Sequence, residues 1–203
     1  NENKNVYCDT NSIKWLYDNI EKIGKHPILV VMGDDMNLSN HKNKINILQS
    51  YFDKIYWEGK DIYHEKIEAL PMGLNMFYNL RNGGNEHILQ HVNKSHNKSK
   101  LITTAFGSQW PKLDTSLSYR KSLISFIEKN DFIERQNWEP IKYYEELSQY
   151  KYFICPPGNG IQAPKLFECY LVQTVPVVIR DPAHVDFKNR GYPMLMVDKW
   201  DDI

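Results

Sequence analysis

The chain has 203 residues, with 25 Lys and Arg set against 25 Asp and Glu, so its formal net charge is zero. That length suits one sizeable domain or two small ones, and the balanced charge argues against a generic nucleic-acid surface, which carries a basic excess. No run of about 18 apolar residues occurs, so no membrane span is expected.

The N-terminal stretch NENKNVYCDT is polar and lacks the apolar core of a signal peptide. Ser12–Gly24 then predicts a helix: Ser12 can cap it, Ile13, Leu16, Ile20 and Ile23 form an apolar stripe, and Gly24 ends it. Ile28–Met32 reads as a buried strand that ends at Gly33-Asp34-Asp35. Lys44–Ser50 predicts a short helix, Tyr51–Tyr56 and Ile67–Pro71 predict strands, and Glu86–Val92 predicts a helix. Asn93–Lys100, NKSHNKSK, is polar and aperiodic, the pattern of a linker. After it come a strand at Leu101–Phe106, a loop at Gly107–Thr115, a helix at Leu117–Lys129, a strand at Phe132–Glu134 and a helix at Lys142–Gln149. Strands alternating with helices over short connections imply a mostly parallel sheet with helices on both faces. The expected class is therefore α/β, with two Rossmann-like domains: residues 1–97 and residues 98–203.

The most informative stretch is Lys151–Ile179, KYFICPPGNGIQAPKLFECYLVQTVPVVI. Lys151–Cys155 is an apolar strand, Pro156-Pro157-Gly158-Asn159-Gly160 is a turn, and Ile161–Val172 has apolar residues near helical spacing. Val175–Ile179 is a continuous apolar strand of the kind buried on both faces of a parallel sheet. A glycine-bearing loop between strand and helix lets backbone N–H groups approach a phosphate, and the helix N-terminus favours negative charge. Lys165 and Glu168 lie three apart and share a helix face. A cation for phosphate and a carboxylate for ribose hydroxyls suit a nucleotide diphosphate. The competing reading is a strand-loop-helix unit with no ligand, since both the dinucleotide fingerprint GxGxxG and the P-loop Lys-Ser/Thr are missing.

This segment resembles the donor-binding half of the exostosin-like glycosyltransferases (glycosyltransferase family 47), including the ribitol-xylosyltransferase-like proteins and the short xylosyltransferases of large algal viruses. The matching residues are Tyr152-Phe153, Pro157-Gly158, Lys165, Phe167-Glu168 and Val175-Pro176-Val177-Val178-Ile179. The family usually carries Arg where this chain has Lys165, which keeps the charge and loses the bidentate fork. The resemblance implies a GT-B fold of two facing Rossmann-like domains with a cleft between them. It also implies inverting transfer from a UDP-sugar, with xylose the expected sugar, to a glycan hydroxyl of an oligosaccharide or glycoprotein, with a β-linkage and no bound metal. Rival readings are another nucleotide-sugar enzyme and a non-catalytic carbohydrate- or protein-binding module.

On that reading Glu168 holds the ribose, while Lys165 neutralises the diphosphate and the leaving UDP. Gly158, Asn159 and Gly160 offer backbone donors, and Gln162 adds a sugar contact. Arg120 reaches the diphosphate, Gly107 and Ser108 allow a close backbone approach, and Trp138 stacks on uracil. Inverting transfer needs a base for the acceptor hydroxyl. Asp34 or Asp35 is the expected one, with His64-Glu65 the second candidate; His184 is a candidate for a sugar contact. Asp34-Asp35 without a third ligand is poor evidence for a metal. Cys8, Cys155 and Cys169 make no disulfide framework, which favours a reducing, cytoplasmic setting. The chain does not begin with Met, which leaves a removed leader or anchor with a Golgi-type location open.

Overall fold

The computed structural model describes residues 4–9, 11–33, 37–75, 79–80, 84–92, 94–107 and 114–203. Asp34, Asp35 and Ser108 lie outside them. The chain divides into two compact units, neither of them continuous in sequence. The first is Asn1–Met72 with Gly160–Gln162 and Asp181–Gly191; the second is Gly73–Asn159 with Ala163–Arg180 and Tyr192–Ile203. Each is α/β, built on a parallel sheet.

The first unit holds a four-stranded sheet in sequential order: β1 (Val6–Asp9), β2 (His26–Met32), β3 (Phe52–Trp57) and β4 (Ile67–Ala69). β1 lies in the stretch read as a polar terminus; it is a short edge strand whose Cys8 faces the core while Tyr7 faces solvent, so its polar flanks hide it. α1 (Ile13–Ile23) buries Ile13, Leu16 and Ile20 as the stripe requires and ends at Gly24, whose φ of 79° suits glycine. Ser12 makes no side-chain cap; instead its N–H donates to Asp9 Oδ1 at 2.7 Å, so the acidic side chain organises the turn. α2 (Ile45–Tyr51) packs Ile45 and Leu48 onto a core that includes Leu29, Val31, Ile55, Trp57 and Ile67.

The second unit contains α3 (Gly84–Leu89) and the sheet strands β5 (Lys100–Thr104), β6 (Glu134–Arg135), β7 (Tyr150–Ile154), β8 (Val175–Ile179) and β9 (Leu195–Val197). Its order is β6-β5-β7-β8-β9. From β5 the chain moves to one side to form β6, then returns to the other side for β7. The reversal leaves a crevice outside the carboxyl ends of β5 and β7, where open α/β sheets bind ligands. α4 (Asp114–Ile127) supplies Leu123 and Phe126 to a core with Ile102, Ile154, Val177 and Trp200. A 3₁₀ turn at Pro140–Lys142 leads into α5 (Tyr143–Leu147), so the helix expected from Lys142 is shorter and starts tighter.

α6 (Pro164–Leu171) is the element that carries Lys165 and Glu168. It starts at Pro164 rather than Ile161, because the residue before a proline disfavours helical backbone and Ala163 is extended here. It ends in a Schellman motif: Thr174 N–H donates to Cys169 O at 2.9 Å and Gln173 N–H to Tyr170 O at 3.3 Å. Gln173 takes the left-handed position with φ 58°, which glycine usually fills. Lys98, within the stretch read as a linker, donates to Val172 O at 2.6 Å and Thr174 Oγ1 at 2.8 Å. That segment is therefore tied to the end of α6. Burial lowers the Lys98 ammonium pKa to about 8.

The DPAHVDF stretch that carries His184 forms α7 (Pro182–Asn189) in the first unit. Asp181 caps it by accepting from His184 N–H at 2.9 Å, and Pro182 sits at the first helical position. Its Asp186 accepts from Lys60 Nζ at 2.7 Å and from Ala69 N–H at 2.8 Å.

Gln173→Gly should raise the unfolding free energy by roughly 0.5–1 kcal/mol, the left-handed strain relieved less the extra entropy of an unfolded glycine. Urea denaturation checks this; a loss of stability would contradict the cap geometry.

Candidate functional site

A cavity of about 280 Å³ lies in the second unit, lined by Asn75, Gly107, Pro164, Lys165 and Glu168. Gly107 follows β5, and Pro164, Lys165 and Glu168 belong to the helix that follows β7, so the lining comes from the two sides of the sheet's reversal. Three of the residues singled out in the sequence, Gly107, Lys165 and Glu168, meet there.

Glu168 is only 4% exposed. Burial raises its carboxyl pKa; the Lys165 charge and the nearby Tyr143 hydroxyl pull it back down. Lys165 Nζ lies 4.3 Å from the centroid of the Tyr143 ring, a cation–π contact that holds the ammonium beside the carboxylate. The Tyr143 hydroxyl is buried without a hydrogen-bond partner of acceptable geometry. It is nonetheless close enough to Glu168 for the carboxylate to help burial push the phenol pKa upward. A buried carboxylate, a cation and an unsatisfied hydroxyl form a polar group that a hydroxyl-bearing ligand can complete.

Arg120 donates from Nε to Pro157 O at 3.0 Å, fixing the loop after β7. Burial and the charge of Arg135 lower its pKa. The two guanidiniums lie 5.7 Å and 4.2 Å from the Phe106 ring centroid. Two cations held near each other next to Gly107 favour an anion. Trp138 packs against Tyr143, Tyr150 and Phe153, with centroids 5.8, 5.8 and 6.3 Å away. Its half-buried ring is engaged by these three aromatics, which include Tyr143. Gly158 and Asn159 belong to the second unit and Gly160 to the first.

Gln162 differs from expectation. Its Nε2 donates to Glu58 O at 2.5 Å and Leu70 O at 2.8 Å, and its Oε1 accepts from Met72 N–H at 2.9 Å. Both amide donors are used on backbone of the first unit, which leaves none for a sugar hydroxyl. His184, buried, pairs through Nδ1 with Asp181 Oδ2 at 2.6 Å within α7 and its cap. Sequence reasoning missed Tyr143, Asn75 and Arg135. Only the Tyr143-Tyr144 doublet stands out locally, and nothing in its spacing points to Lys165.

No family model matches the chain, and no curated protein matches it. Among the described residues no group of three or more His, Cys, Asp or Glu gathers as a metal site. No helix among them is long and apolar enough to cross a membrane.

The raised pKa of Glu168 has a consequence for stability. Below the ordinary carboxylate range, about 4.3, the group is protonated whether folded or not, and burial costs little. As pH rises through that range and then through the raised folded value, the buried group must ionise and the folded state loses stability. Glu168→Gln removes this loss. The melting temperature of the variant relative to the natural protein should therefore move upward between pH 4 and pH 7. A gap that does not change with pH would contradict the assignment.

Proposed function

We propose that the protein is an inverting glycosyltransferase that moves a sugar from a UDP-sugar to a glycan hydroxyl, with xylose the favoured sugar. The observation that carries this reading is the cavity at the reversal of the second sheet, with Lys165 and buried Glu168 on one wall and Gly107 on the other. The resemblance to the exostosin-like glycosyltransferases falls on the same helix, and the GT-B fold is part of the proposal.

In this mechanism Glu168 accepts the ribose hydroxyl protons as hydrogen bonds, and ligand hydroxyls replace the water it lacks when buried. Lys165 and the first turn of α6 face the diphosphate. Arg120 adds a second cation. The acceptor hydroxyl gives its proton to Asp34 or Asp35 and attacks the anomeric carbon from the face opposite the leaving group. The new C–O bond forms as the bond to the UDP oxygen breaks, and UDP leaves with the electron pair. The cations are worth most at that moment, because charge develops on the leaving oxygen.

UDP at about 100 times its dissociation constant should stabilise the protein by about 2.7 kcal/mol, read as an upward shift in melting temperature. Glu168→Ala should abolish that shift and Lys165→Ala should shrink it. Asp34→Ala or Asp35→Ala should leave it in place while removing transfer. No shift with UDP or any UDP-sugar would sink the reading. A shift without turnover on any glycan would favour a carbohydrate-binding module instead.

A further inference from the structure

The chain has seven histidines. Five of them commit a ring nitrogen within the protein: His26 to Lys4 O, His41 to the Tyr17 hydroxyl, His64 to the Gln49 amide, His96 to His91 O and His184 to Asp181. The two that remain, His87 and His91, have no ring-nitrogen hydrogen bond among the described residues.

These two stand together in the second unit. α3 ends at Leu89, but its hydrogen bonds run on: Gln90 N–H donates to Glu86 O at 3.2 Å and Val92 N–H to Ile88 O at 3.3 Å. Residues four apart therefore share a face, separated by one turn of about 5.4 Å along the axis. The imidazoles meet edge to face, with centroids 5.3 Å apart and planes at 77°. Two histidines four apart on one helical face is the spacing that chelates a metal ion. The residue after His87 is Ile88, where a hydrolytic His-Glu-x-x-His motif carries its glutamate base, so the pair points to binding rather than to hydrolysis.

Nε2 of His87 is buried without a hydrogen-bond partner. An unpaired buried ring nitrogen is costly, and a metal ion satisfies it as a proton donor would. Tyr144 of α5, 3% exposed, backs both rings, with centroids 6.0 Å from His87 and 6.2 Å from His91. The Tyr144 hydroxyl donates to Asn79 Oδ1 at 3.2 Å, so the backing ring is itself fixed. Two ligands held in place before the ion arrives form a preorganised pair. Burial, then positive charge on His87, His96 and Lys94, lowers the His91 imidazole pKa, while Glu145 raises it. The net effect favours the neutral ring, the form that ligates. Both histidines are half-buried, which leaves an open side for water ligands.

We propose that His87 and His91 form a two-imidazole site for a first-row transition-metal dication, with Nε2 of His87 and a ring nitrogen of His91 as ligands and water in the other positions. Imidazole suits nickel, copper and zinc, whereas magnesium and calcium prefer oxygen ligands. The site shares no residue with the nucleotide cavity and stands whether or not the UDP reading holds.

Isothermal titration calorimetry of the tag-free full chain with nickel chloride tests it. One ion per chain should bind with micromolar affinity, and a large excess of magnesium should leave the isotherm unchanged. Loss of an outer partner alone costs roughly 10–100-fold in metal affinity. Removing a ligand, in His87→Gln or in His91→Gln, should therefore weaken binding at least about tenfold. His64→Gln, in the first unit, should have no effect. Thermal melts check that each variant folds. Electron paramagnetic resonance of the copper-loaded natural protein needs no variant, and it should show coupling to two imidazole nitrogens. The proposal is overturned by no binding at millimolar nickel, by binding that survives both histidine variants, by loss in His64→Gln, by displacement with magnesium, or by a copper spectrum with fewer than two nitrogens.

Discussion

Everything proposed for the second unit depends on helix α6 being fixed at both ends, because that is what keeps Glu168 under the surface. Pro164 sets its first turn, and the Schellman motif through Gln173 and Thr174 closes its last. Lys98 then satisfies the carbonyl of Val172. With the helix axis held, the three-residue spacing of Lys165 and Glu168 brings both to one cavity. A carboxylate forced into that position is destabilised as an anion by burial. The Lys165 ammonium, itself anchored on the Tyr143 ring, offsets part of that cost. The site is therefore a small electrostatic balance of one buried carboxylate against one ammonium, and the proposal is that a ligand's hydroxyls and negative charge complete it.

Much of this was legible in the sequence, for identifiable reasons. Val175–Ile179 is apolar without interruption because β8 is central in its sheet, and the Pro-Pro-Gly turn excludes regular structure, so the strand-loop-helix-strand order follows from local rules. The stripe of α1 is legible for the same reason. The α/β class followed from alternation alone. By contrast β1 and β9 have only four and three residues, too short for periodicity to be read. The role of Asp9 in the turn before α1 depends on the turn's three-dimensional path, and composition does not fix that path.

The site itself was half legible. Lys165 and Glu168 are neighbours on one helix, so spacing reveals them. Tyr143 and Asn75 are distant in sequence and reach the site only through sheet order and helix placement, which no local pattern encodes. Gln162 shows the opposite limit: its position after the glycine loop suggested a ligand contact, yet its amide is spent on three backbone groups of the first unit. The interleaving of the units explains why. Gly160–Gln162 and Asp181–Gly191 return to the first unit, so proximity in sequence to the glycine loop or to β8 does not mean membership of the second unit. The same return brings Asp186 to Lys60 and Arg190 to the carbonyl of Ala69, all within the first unit.

We propose that the reversal of the second sheet holds a uridine diphosphate between Gly107 and α6. A crystal structure of the protein grown with UDP tests it most directly. The account predicts the diphosphate beside Lys165 and Arg120, with the ribose hydroxyls within hydrogen-bond distance of the Glu168 carboxylate. UDP bound away from Glu168, or no UDP bound when the nucleotide is in large excess, would contradict it.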